Sequence, residues 1–350
     1  MLSRICLFAS VVLVTTGCSH AAVPLPAAGA RPAPEADCYR VESERFVFHS
    51  DPWINLHHFL YQWASASAER KPGDTRPPVE VPEIEHRQDL AEGERQAWER
   101  AVAYYRERLI GGDLLADLDL VGLKEQLAAL ACTANSAKGI DPELWKVLVE
   151  AMPVYRRHWW PEHHAANVGW IGERLRQLRS YETVLAKRLA EAYGGEWPPE
   201  RIRVDVAAYS NWAGAYTTNN PNQLTISRRS YEGLDGLEIV FHEVSHASFF
   251  EQRIFEQLAT AFRPHGVKPP GRLFHVIQFV TPAELIRSLL GNEQPKGYRS
   301  IAERVYAEGP AADHYRIVLK YWKPFLDGKI DRTEALDRIA TEIAQPRDAR

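Results

Sequence analysis

Three residues in one short stretch have the types and spacing for chemistry. His242 and His246 stand four apart in IVFHEVSHASFF (239–250), with Glu243 between them. Four residues make one helical turn, so the two imidazoles project from one face. Two neutral imidazoles so placed bind Zn2+, and the neighbouring carboxylate can take the proton of an attacking water. Glu243 is the one Asp, Glu, Lys or Arg between 239 and 250, and no proline interrupts the stretch. An apolar helix that buries two histidines and a glutamate without partners carries a large desolvation cost, and a metal ion supplies the partner. The bland alternative is a core helix whose histidines are satisfied by hydrogen bonds.

The chain has 13 His in all. His57 and His58 sit among Phe59, Tyr61 and Trp63, where one of them could face a cleft or both could be interior. His158, His163 and His164 cluster around Pro161 in RRHWWPEHHAAN. Adjacent histidines cannot share a helix face, so that cluster is a poor second metal site, and Trp159 and Trp160 read as core.

The elements that must position the motif follow from periodicity. The alternation in YRVESERFVF (39–48) predicts a strand. Ser50-Asp51-Pro52 opens a strongly apolar helix. After a proline-rich loop at 71–82, helical spacing of Trp98, Val102, Tyr105 and Leu109 predicts a helix over 86–110. Further helices fit 113–136, 141–152, 161–172 and 172–193, with Asp141-Pro142 as a start signal. Past Trp197-Pro198-Pro199 the period changes to two: strands are expected at 201–208 and 223–228, separated by the turn Asn219-Asn220-Pro221-Asn222. The motif helix follows at 236–250, then a helix at 272–290 and a final amphipathic helix over 329–344.

On these residues the sequence resembles the HExxH zincin-type zinc metallopeptidases, gluzincin-like in outline. In that class the motif helix lies beneath a small sheet whose edge strand pairs with an extended peptide. NWAGAYTTNNPNQLTISRR would then be the strand pair over the cleft. More loosely, NLHHFLYQWA, WAGAYTT, FHEVSHA and LFHVIQFVTPAEL together resemble a family of bacterial HExxH lipoproteins, which implies no substrate. The metzincin third histidine would fall at position 252, which is Gln252, and the thermolysin-type downstream string is absent.

The third ligand must therefore come from elsewhere. Glu251 and Glu256 are too near to fold back unless the motif helix breaks. His265 lies in the proline-rich loop RPHGVKPPG. His275 and Glu284 share the return helix but stand nine residues apart, half a turn out of phase at about 100° per residue. Thr281-Pro282-Ala283-Glu284 resembles a capping box, which gives Glu284 a structural use. His275 has only apolar neighbours and is the expected ligand, with Glu284 the alternative. The resemblance also calls for a group that holds the oxyanion of the tetrahedral intermediate. Tyr216 is the candidate taken, with His314 and Tyr315 as others.

The N-terminus reads as an export signal. Arg4 precedes the apolar run Ile5–Val14, too short to span a bilayer. Thr15-Thr16-Gly17-Cys18 resembles a bacterial lipobox, which implies lipid on Cys18 and, with Ser19 following, the outer membrane. Residues 18–37 form an Ala/Pro-rich tether. Cys38 and Cys132 remain, and an oxidising compartment favours their pairing as a disulfide. Lys and Arg total 42 against 46 Asp and Glu, a net charge of −4, with no basic block; nucleic acid is not an expected partner.

The expectation is a mostly α, α+β chain: signal peptide 1–17, tether 18–37, helical region 38–195 and zincin-like metallohydrolase region 196–350. Its function is expected to be zinc-dependent peptide hydrolysis with Glu243 as general base, at the bacterial cell envelope. The competing expectation is a non-catalytic envelope lipoprotein that keeps the scaffold as a structural zinc site or binding module.

Overall fold

Alternating apolar and polar residues mark most of the strands at 39–50 and 202–227, which build a single five-stranded sheet, and the helices pack against it. The computed structural model describes residues 38–68, 89–130, 132–134 and 136–345. The expected signal, the lipidated Cys18, the tether and the 71–82 loop lie outside the described residues.

The strands are β1 (Tyr39–Glu42), β2 (Phe46–Ser50), β3 (Ile202–Ala207), β4 (Ala215–Thr218) and β5 (Gln223–Ser227), in the order β1-β2-β3-β5-β4. β2, β3 and β5 run parallel, and β1 and β4 are antiparallel ends. The sheet thus draws strands from both sides of residue 195. The single strand expected at 39–48 is instead a hairpin. Its turn is held by Glu182, whose carboxylate accepts bonds from Ser43 Oγ at 2.7 Å and the Arg45 N–H at 2.6 Å.

Eleven α-helices occur among the described residues: α1 (Pro52–Ala66), α2 (Glu92–Arg108), α3 (Leu118–Ala128), α4 (Pro142–His158), α5 (Trp160–Tyr193), α6 (Gly233–Ser245), α7 (Ser248–Phe262), α8 (Leu273–Leu290), α9 (Ile301–Tyr306), α10 (Ala312–Leu326) and α11 (Arg332–Ala344). The chain is therefore mostly α with a small mixed sheet. Asp51 and Asp141 cap α1 and α4, each with proline in the first turn. α1 is buried on nearly every side, as an all-round apolar helix must be.

Several helices differ from their sequence expectation: α3 is shorter than the expected 113–136, and α4 runs past the expected 152. The pair expected at 161–172 and 172–193 is one 34-residue helix, α5, which runs through Gly169 and Gly172 unbroken. α8 matches the helix expected at 272–290 and runs through Thr281-Pro282 without restarting. By length and composition Leu273–Glu293 would suffice to cross a membrane, but most of it is buried inside the fold. Cys38 and Cys132 are joined as a disulfide, with Cα atoms 6.2 Å apart.

Candidate metal centre

The motif helix is shorter than its pattern suggests, and its ending shapes the site. α6 stops at Ser245, with His246 as its C-cap, and α7 restarts at Ser248. The β4–β5 turn stabilises this break. Asn219 donates to the His246 carbonyl at 3.3 Å, and its Oδ1 accepts the Ser248 N–H at 2.9 Å. From α8, the Gln278 amide donates to the Ser245 carbonyl at 2.7 Å. The orphan groups of both helix ends thus find side-chain partners. On an unbroken helix, residues five apart point about 140° away from each other. The break brings Glu251 back so that its Oε1 lies 2.9 Å from His246 Nδ1.

The return helix brings the third imidazole. His242, His246 and His275 each offer a ring nitrogen within 4.8 Å of the others. Ring centroids are 4.8 Å apart for His242–His246, 5.3 Å for His242–His275 and 5.1 Å for His246–His275. Phe279, one turn beyond His275 on α8, stacks on His242 with centroids 3.5 Å apart.

Each ring is oriented through its Nδ1. His242 Nδ1 donates to the Gln278 backbone carbonyl at 3.2 Å. His246 Nδ1 faces the Glu251 carboxylate, and His275 Nδ1 lies 2.8 Å from the Tyr306 hydroxyl. Carbonyl and carboxylate oxygens only accept, so His242 and His246 carry their protons on Nδ1 and keep a lone pair on Nε2. Those two Nε2 atoms lie 3.3 Å apart. Two lone pairs facing at that distance repel unless a cation or a proton sits between them. On His242 a proton is disfavoured: burial first, then His246 and His275, holds it well below the usual imidazole range. Burial, then His246 and Arg272, pushes His275 down to about 3. The donor set therefore fits a divalent transition metal, with a partner behind every ligand.

Glu243 is 4% exposed. Thr217 on β4 places its hydroxyl 2.8 Å from both the Glu243 carbonyl oxygen and Oε2. Burial raises the carboxyl above its ordinary value, while His246 and the Thr217 bond pull it back.

Tyr216 does not belong to this constellation. Successive residues of a strand face opposite sides of the sheet, and Thr217 faces α6. Tyr216 therefore faces α1, where its hydroxyl lies 2.8 Å from His58 Nε2 within an aromatic core. It is corrected from a catalytic candidate to a core residue. Glu284 is 3% exposed, pairs with Arg287 at 2.8 Å and Lys323 at 3.0 Å, and stands outside the histidine group. His57 and His58 are fully buried on the α1 side. Tyr315 is buried on α10, where burial pushes its hydroxyl up to about 12. Sequence reasoning missed Gln278, Glu251, Thr217 and Tyr306. Only Glu251 left a trace, as a residue that needs a break to return.

Compared with known protein families, curated proteins and solved structures, the chain matches none.

Proposed function

We propose that the chain is a zinc-dependent hydrolase that cleaves peptide amide bonds, with a zincin-like placement of hairpin, motif helix and return helix. The observation that carries this reading is the pair of Nε2 lone pairs at 3.3 Å, each fixed by an acceptor on the far side of its ring, with His275 completing the triangle. His242, His246 and His275 would hold the ion, which supplies Lewis acidity toward a carbonyl oxygen. Three protein donors among the described residues favour a catalytic over a closed structural site, since structural zinc takes four. Glu243 accepts a proton from the attacking water and returns it to the leaving amine. Thr217 holds that carboxylate in place.

The test is Glu243→Gln in the purified, zinc-loaded chain, assayed on a peptide library. Bound zinc should stay near the wild-type level while hydrolysis falls by about two to four powers of ten, the scale of a lost general base. Undiminished hydrolysis in the mutant removes the reading.

The same proposal places the chain at a bacterial envelope, anchored by lipid on Cys18. The Cys38–Cys132 disulfide supports an oxidising compartment. Mass spectrometry of the mature N-terminus should find acylated Cys18; an unmodified terminus cut elsewhere refutes the anchor.

A further inference from the structure

Two of the three imidazoles have their Nδ1 partner on the segments that carry the ligands themselves: the Gln278 carbonyl on α8, the helix of His275, for His242, and Glu251 just past the helix break for His246. The partner of His275 comes from a separate element. Tyr306 is the last residue of α9, 31 residues further along the chain, and its hydroxyl lies 2.8 Å from His275 Nδ1. Its ring also packs on Phe279, centroids 5.6 Å apart at 70°, the residue that stacks on His242.

α9 has six residues, far below the length at which a helix persists unaided. Ser300 caps it by accepting the Glu303 N–H at 3.2 Å. A second cap comes from the motif helix itself. Glu238 lies on α6 one turn before His242, and it is fully buried. Its Oε1 accepts the Ile301 N–H at 2.9 Å and the Ala302 N–H at 3.4 Å, and its Oε2 accepts the Tyr298 hydroxyl at 2.6 Å. A buried carboxylate carries a desolvation cost that an apolar residue would avoid, so packing alone does not account for it. Its three bonds fix the start of α9, and the helix then delivers Tyr306 to His275.

We propose that Tyr306 is the positioning residue of the third imidazole, and that Glu238 sets Tyr306 through its hold on α9. With His275 bound to metal through Nε2, its Nδ1–H donates to the Tyr306 oxygen, which fixes both tautomer and ring plane. α6 and its C-cap then carry two ligands and the general base, and Glu238 on the same helix acts on the third ligand through Tyr306. The inference rests on the metal reading above.

The test measures zinc affinity of the full chain by competition with a chromophoric chelator. Tyr306→Phe keeps the ring packing and removes the hydroxyl; its zinc dissociation constant should rise about 10- to 100-fold. Glu238→Gln keeps an oxygen for the two backbone N–H groups but removes the charge and reverses the bond to Tyr298, whose hydroxyl would then have to accept from the amide, so its loss should be smaller and in the same direction. Because Glu238 acts through Tyr306, the double variant should lose no more than Tyr306→Phe alone, a non-additivity that two independent structural defects would not give. Wild-type affinity in Tyr306→Phe overturns the proposal, and so do additive losses in the double variant. Should Tyr306→Phe fail to fold, Glu238→Gln decides the matter: unchanged zinc affinity there overturns it. A wild-type chain that binds no zinc removes the metal reading, and this inference with it, a result distinct from the others.

Discussion

Two groups of histidines, one fully buried and one partly so, lie on opposite faces of one sheet, and they differ in where their second nitrogens go. On the α1 side His58 uses both: Nδ1 donates to the Ile54 carbonyl at 2.7 Å, and Nε2 accepts from the Tyr216 hydroxyl at 2.8 Å. Its neighbour His57 packs against Tyr105, with Nδ1 2.9 Å from that hydroxyl. On the α6 side each Nδ1 is likewise tied, but the Nε2 atoms of His242 and His246 turn toward each other. Burial is similar for His58 and His242, at 0% and 2% exposed. Burial and a depressed pKa thus do not mark the candidate metal ligand, since both features occur on both faces. The convergence of lone pairs does.

The contrast makes Tyr216 a sharp probe. In Tyr216→Phe the buried Nε2 of His58 loses its donor, which should cost up to about 3 kcal/mol of stability by urea unfolding. Zinc bound per folded chain should not change. A loss of zinc with stability intact would put Tyr216 back at the metal centre and dissolve the difference between the faces.

Lys124 sharpens the same contrast through pH. It is fully buried on the α1 side, with Nζ 3.3 Å from the Gln223 carbonyl and 4.5 Å from the centre of the Tyr216 ring. Burial lowers its pKa to about 7, against the opposing pull of Asp205 and Glu243. The unfolded chain, with an ordinary lysine, holds that proton to much higher pH. The unfolded state therefore binds more protons between pH 7 and 9, and stability rises with pH across that window. The lysine's share is about 2 kcal/mol. Lys124→Met should remove that share of the pH slope and leave zinc stoichiometry alone. An unchanged slope would mean that Lys124 is solvated and that the far face is not the dry core described.

What was legible in the sequence was local. His242, Glu243 and His246 announce themselves by spacing, and Asp51-Pro52 and Asp141-Pro142 announce their helices. The choice of His275 over Glu284 followed from phase on one helix and from a structural use for Glu284. That use turned out to be ion pairs with Arg287 and Lys323 rather than a cap. The face of Tyr216 was not legible, because all four residues of β4 are buried and no alternation of polarity betrays the parity. The break at 246–247 was hidden because Asn219, Asn222 and Gln278, which stabilise it, lie more than 20 residues away in sequence. Tyr306 was hidden for the same reason: a contact across 31 residues leaves no period to read.

The central claim is that His242, His246 and His275 hold one divalent ion between them. The measurement that meets it most directly is bound zinc per chain, by elemental analysis after dialysis, in the wild type, His275→Ala and Glu284→Ala. The account predicts one zinc per wild-type chain, the same in Glu284→Ala, and little or none in His275→Ala. Zinc kept in His275→Ala and lost in Glu284→Ala, or no zinc in the wild type, would contradict it.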